Sequence, residues 1–107
     1  MAVGYNYLML MGQVVEMIHT KPGRDEVGRS LIKLSVERAF RSVDGTVHVD
    51  IIPVVVYGAI SKLASENIKT GDTITIKGRI ENRDTNQFSI VGERILLLNE
   101  RGDIKWY

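Results

Sequence analysis

One stretch of the chain, Ala59 to Ile68, spaces its apolar residues as a helix does, while the runs on either side alternate or bunch as strands do. Ile60, Leu63, Ala64 and Ile68 share one predicted helical face. Three strand-like runs precede this helix and two follow it. A chain of 107 residues has room for one domain. Five short strands and a lone helix then point to a small closed barrel, which leaves no long sheet edge open.

The runs themselves are readable. Tyr7 to Ile18 is the first predicted strand, and apolar residues on both parities of its first half predict burial on both faces there. Gly12 in its middle predicts a bulge, a sharp bend or the close approach of another backbone. His19 to Gly28 reads as a solvated loop, with Pro22-Gly23 and the charges of Arg24, Asp25 and Glu26. In the second predicted strand, Ser30 to Arg41, Ile32, Leu34 and Val36 alternate with Lys33, Ser35 and Glu37. Val43 to Thr46 reads as a hairpin turn in which Asp44-Gly45 supplies a positive φ. Val47 to Tyr57, the third strand, is the most β-branched stretch, and its Pro53 belongs at an edge or a bulge. Lys69 to Asp72 ends the helix and leads into the fourth strand, Thr73 to Ile80, where Ile74, Ile76 and Ile80 oppose Thr75, Lys77 and Arg79. Asn82 to Asn86 reads as a short polar turn, Gln87 to Leu98 as the fifth strand and Asn99 to Tyr107 as a polar tail.

This order is that of the OB-fold: all-β, a five-stranded barrel with one short helix between strands 3 and 4. Gly12 and Gly78 suit the tight coiling of so small a barrel. The expected division is a barrel domain over residues 1–99 and a short polar tail over 100–107. An SH3-like barrel would not normally place a ten-residue amphipathic helix at this point.

Composition narrows the chemistry. The chain has no cysteine and two histidines, His19 and His48, which tells against thiolate chemistry and a multi-histidine metal site. No phosphate-binding glycine loop, nucleophile elbow or metalloprotease helix is present. Asp25 and Glu26 read as solvated loop charges, Asp44 and Asp72 as turn residues, and His48 as a half-exposed strand residue. No catalytic residue, metal or cofactor is therefore expected. No apolar run reaches the length of about 18 that spans a membrane. The N-terminus lacks the pattern of a signal peptide, so the cytoplasm is the expected compartment. Fourteen Lys and Arg face thirteen Asp and Glu, a net charge of +1 that at first tells against nucleic acid.

The distribution of those charges reads differently. Lys33, Arg38, Phe40 and Arg41 lie on or just past the second strand, Tyr57 ends the third, and Lys77, Arg79 and Arg83 follow the fourth. Cations that follow phosphates, interleaved with aromatic faces that stack bases, make a single-strand-binding surface. The plainer reading makes Phe40 and Tyr57 core residues and the cations a solvated face. Parity indeed groups Phe40 with Ile32, Leu34 and Val36, and only a bulge or bend after Val36 would turn it outward.

Four pieces in order resemble the bacterial single-stranded-DNA-binding protein family. They are N-Y-L-M-L-M-G-Q (Asn6 to Gln13), L-I-K-L-S-V-E-R-A-F (Leu31 to Phe40), D-I-I-P-V-V-V-Y-G-A-I-S-K-L-A-S-E (Asp50 to Glu66) and I-K-T-G-D-T-I-T-I-K-G-R-I-E-N-R (Ile68 to Arg83). The resemblance covers about residues 6 to 98. It implies an OB-fold, no catalysis, and sequence-nonspecific binding of single-stranded DNA in replication, recombination or repair, in the cytoplasm and on the nucleoid. It also implies a homo-oligomer, dimer or tetramer, paired through the first strand, for which Tyr5 to Met11 is a suitable apolar segment. Carried over by position, Phe40 matches a stacking tryptophan and Tyr57 a stacking phenylalanine, while Ile51 falls where many members have another tryptophan. The final hairpin is short and carries no aromatic at its tip, which implies weaker binding or fewer nucleotides per subunit. Family members also continue into a tail with an acidic tip that recruits other proteins, whereas Ile104 to Tyr107 here resembles the compact form of short members and of the related primosomal protein.

The expected DNA-binding residues are thus Lys33, Arg38, Phe40, Arg41, Ile51, Tyr57, Lys77, Arg79 and Arg83. Two alternatives stand beside this reading. One is a primosome-type accessory protein that acts mainly through contacts with replication proteins. The other is an OB-fold oligomerisation module that no longer binds DNA. A local cationic stripe on a nearly neutral molecule would leave stacking at Phe40 and Tyr57 to carry much of the affinity, with duplex DNA ignored.

Overall fold

A computed structural model describes residues 3–24, 27–98 and 104–107. The reading of Asp25 and Glu26 as loop charges lies outside the described residues, as does the stretch 99–103 of the expected tail. Among the described residues, β1 (Leu8–Thr20), β2 (Arg29–Glu37), β3 (Val49–Tyr57), α1 (Gly58–Asn67), β4 (Thr73–Asp84), β5 (Gln87–Leu98) and β6 (Ile104–Trp106) follow in order. The sheet runs β3-β2-β1-β4-β5-β6. A parallel pairing of Val54 with Ile90 and Val55 with Val91 joins β3 to β5 and closes the barrel. This is the five-stranded OB barrel, with its helix between β3 and β4.

Alternation builds the core. Ile32, Leu34, Val54, Val56, Ile74, Ile76 and Ile95 are buried from four strands, and Val14 joins them from β1. Each such side chain contributes about 1.5–3 kcal/mol relative to exposure. A β-carbon at Gly12 would stand 2.5 Å from the Ser35 carbonyl oxygen, and one at Gly78 would overlap the Val91 carbonyl oxygen. Both glycines therefore mark close backbone approach at the tightly coiled crossings of the barrel. Pro53 pairs with Lys33 on β3, whose other side is joined to β5 only at Val54 and Val55.

Several elements differ from expectation for physical reasons. Met9 and Met11 are 53% and 65% exposed, so the first half of β1 is buried on one face only. They pair with Lys77 and Thr75, and this outer face carries no second layer within one chain. On α1, Ser61 is buried and Leu63 is exposed, a rotation from the expected face. The Ser61 hydroxyl lies 2.8 Å from that of buried Ser30, which lies 2.8 Å from His19 Nδ1, so this polar cluster is satisfied internally. The polar turn expected at Asn82 to Asn86 shrinks to two residues, since β4 runs to Asp84 and β5 resumes at Gln87. Ile104–Trp106, read as part of a polar tail, pairs with Leu96–Leu98 as β6.

Candidate nucleic-acid interface

The outer face of β2 and β3 is a ladder of cross-strand pairs: Glu37 with Val49, Ser35 with Ile51, Lys33 with Pro53, Leu31 with Val55, and Arg29 with Tyr57. It spans roughly 26 Å at the rise of an extended strand. Its β3 side is apolar throughout, with Ile51 52% exposed. A hairpin projects at each end.

At the Val49 end, β2 stops at Glu37 and the chain bends at Ala39 and Phe40. That bend breaks the parity that would have sent Phe40 inward, and Phe40 is 70% exposed. The hairpin beyond is held by its own bonds. The Arg38 amide donates to the His48 carbonyl at 2.9 Å, and Gly45, at φ 84°, donates its amide to the Ser42 carbonyl at 2.8 Å. Ser42 Oγ and His48 Nε2 share a further hydrogen bond. The Asp44 carboxyl is held below its ordinary range by hydrogen bonds from the Thr46 hydroxyl and amide. Arg41 is exposed on this hairpin.

At the other end, Arg83 Nη2 donates to Tyr57 Oη at 2.6 Å, tying the β4–β5 hairpin to the end of β3. Phe88, on the same hairpin, is 69% exposed. It closes a shallow cleft of about 320 Å³ with Leu31, Pro53, Val55, Ser89 and Ile90. Sequence reading finds no aromatic at the hairpin tip. Phe88 lies just behind the tip, opposite Asn82, and an aromatic immediately after a polar turn is the signal that marks it.

The expected cations divide into two sets. Lys33 Nζ lies 3.0 Å from Glu16, and Arg79 lies 3.4 Å from Glu81 and 3.8 Å from Glu93. Arg38 grips both Asp50 oxygens, its Nε at 3.0 Å and Nη2 at 2.9 Å. The hydrogen bond from Arg38 holds the Asp50 carboxyl below its ordinary range, and the Arg38 guanidinium is raised in turn. Among the described residues, Arg41, Arg83 and Lys77 have no such carboxylate partner. Lys77 lies apart from the ladder, on β4 between Met9 of β1 and Arg94 of β5, with its Nζ 4.6 Å from the centroid of the Trp106 ring of β6. Ile51, Tyr57 and Lys33 are brought together on the ladder, with Phe40 and Arg83 at its ends. Among the described residues, no group of three or more His, Asp or Glu is placed to hold a metal ion.

The model of the single-strand binding protein family matches residues 5–94. The wild-type single-stranded DNA binding protein from Thermus aquaticus is similar in structure, with a TM-score of 0.76 at 20% identity over 94% of this chain. A deletion mutant of the same protein gives 0.72 at 20% identity over 98% of this chain. The SSB domain of a Synechococcus protein gives 0.65 at 16% identity, covering 89% of this chain and 98% of that domain. The chain spans 53% and 56% of the length of the two Thermus structures. No curated protein sequence matches it.

Proposed function

The chain belongs to the single-strand binding protein family, and from that premise we propose that it binds single-stranded DNA without sequence preference and catalyses nothing. The observation that carries this reading is the outward Phe40 at one end of the β2–β3 ladder, with Tyr57 and Phe88 near the other. Bases stack on these rings, each worth roughly 1–3 kcal/mol. Arg41 and Arg83 take phosphates first. Lys33, Arg38 and Arg79 join as phosphates displace their carboxylate partners, and Ile51 offers an apolar rest between the rings. Single strands exposed in replication, recombination or repair are the proposed substrate, in the cytoplasm and on the nucleoid.

Self-association belongs to the same proposal. Leu8–Gly12 pairs with β4, while the pairing of β1 with β2 begins only at Gln13. An edge of β1 is left available to a second copy, beside exposed Met9 and Met11. The internal pairing of three expected cations favours a second reading, an accessory protein whose main contacts are with replication proteins. Nuclease protection separates them. The purified protein should shield a single strand and leave a duplex open, and an unprotected single strand would leave only a protein-contact role.

A further inference from the structure

We propose that the cleft between the β1–β2 loop and α1 takes the base of the nucleotide that follows Tyr57 off the ladder, with Lys21 and Lys62 on its phosphates; this rests on the single-strand reading above. The pair of Arg29 with Tyr57 is the last rung of the ladder. Directly beyond it, the Gly58 amide donates to the Gly28 carbonyl at 2.8 Å. That bond joins the loop to the first turn of α1, and the cleft has both glycines in its wall. Its volume is about 570 Å³, against about 320 Å³ for the cleft at Phe88.

The walls suit a flat apolar group. Pro22 and Val27 line the loop side, and Ala59 lines the helix side. All three are exposed, Val27 by 67%. Lys21 adds a cation from the loop and Lys62 one from the helix. Among the described residues, neither lysine lies in an ion pair, nor does Arg29 beside them, whereas Lys33, Arg38 and Arg79 all do. Glu66 is the one carboxylate among the described lining residues, so positive charge prevails.

His19 supplies the polar contact. Its Nδ1 lies 2.8 Å from Ser30 Oγ, which lies 2.8 Å from Ser61 Oγ, and both serines are fully buried. Both hydroxyl protons find acceptors when Ser61 donates to Ser30 and Ser30 donates to His19 Nδ1. The other tautomer leaves one hydroxyl with no acceptor nearer than the Ser61 carbonyl at 3.4 Å. The network therefore assigns the ring proton to Nε2. His19 lines the cleft, and Nε2 is its nitrogen without a partner among the described residues. The cleft thus holds one donor oriented from behind. Every base carries an edge acceptor for it, so the contact adds affinity without adding sequence preference. Apolar walls, one oriented donor and a cation on each side match a nucleotide part by part.

The full-length protein is titrated with labelled oligo-dT by anisotropy, and oligonucleotides carrying 5-iododeoxyuridine at each position in turn are photo-crosslinked to it. The expected result is a crosslink to His19 from positions near one end only. Lys62→Ala should weaken binding roughly threefold at low salt and lower the log–log salt slope by about 0.7, one phosphate contact. Ala59→Leu fills the cleft and should weaken binding roughly fivefold or more. Both positions are exposed on α1 and both new residues are strong helix formers, so both variants should melt like wild type. Wild-type affinity in both variants, with crosslinks confined to Phe40, Tyr57 and Phe88, would overturn the inference and leave the single-strand reading standing. No anisotropy rise at all would remove both. Wild-type affinity together with changed sedimentation of Ala59→Leu in the absence of DNA would overturn it too, and would assign the cleft to a contact between copies.

Discussion

Arg83 Nη2 donates to Tyr57 Oη at 2.6 Å, a bond that ties the β4–β5 hairpin to the end of β3 beyond the pairing of Val54 with Ile90 and Val55 with Val91. The ring of Tyr57 and the charge of Arg83 are thereby presented together. Tyr57→Ala should weaken oligo-dT binding by about 1–3 kcal/mol, the worth of a stacked base. Tyr57→Phe keeps the ring and should cost under about threefold, since the lost bond is exposed. Titrations of both variants against the same oligonucleotide check this.

Phe40 and Phe88 stand outside the core, so truncating either should separate binding from stability. Phe40→Ala and Phe88→Ala should each lose about 1–3 kcal/mol of single-strand affinity. Their melting temperatures should stay close to wild type, because both rings are largely exposed. A variant that melts early while binding normally would show that the ring is structural.

Arg38 is held by a carboxylate that a phosphate must displace. Asp50→Asn removes that competitor. Affinity for oligo-dT should rise roughly two- to fivefold, and the log–log salt dependence should steepen by about 0.7, one further phosphate contact. Isotherms at several salt concentrations read both quantities.

The same pair predicts a pH response. The Asp50 carboxyl is depressed by the Arg38 hydrogen bond, then by the charges of Arg38 and His48. A depressed carboxyl stabilises the fold fully above its unfolded value of about 4, and the contribution fades as pH falls through the folded value. Wild type should therefore melt above Asp50→Asn near neutral pH, and the gap should close on acidification below about pH 4. A gap of constant size across that range would contradict this role for the pair.

Gly12 and Gly78 are close-approach positions. Gly78→Ala drives a methyl into the Val91 carbonyl, and Gly12→Ala drives one toward that of Ser35. Each should cost about 1–3 kcal/mol, a fall of several degrees in melting temperature for a domain of this size. Scanning calorimetry of the two variants decides it.

Strand order and helix position are legible in the sequence because they rest on local periodicity, which Ile32, Leu34 and Val36 or Ile74 and Ile76 display without help. Phe40 defeats the same logic. Parity assumes that β2 continues past Glu37, and the bend at Ala39 and Phe40 is set by the hairpin bonds from Arg38 to His48. The quenching of Lys33 by Glu16 and of Arg79 by Glu93 depends on register between strands, which no single run encodes. β6 is hidden for a similar reason, since Ile104–Trp106 is too short to read as a strand until Leu96–Leu98 is beside it.

The most direct test is an anisotropy titration of equal-length labelled oligo-dT and duplex DNA, at low and at moderate salt. The single strand should be clearly preferred at both, with its affinity falling as salt rises by about 0.7 in log–log slope per phosphate held. Equal binding of duplex and single strand at low salt would contradict it.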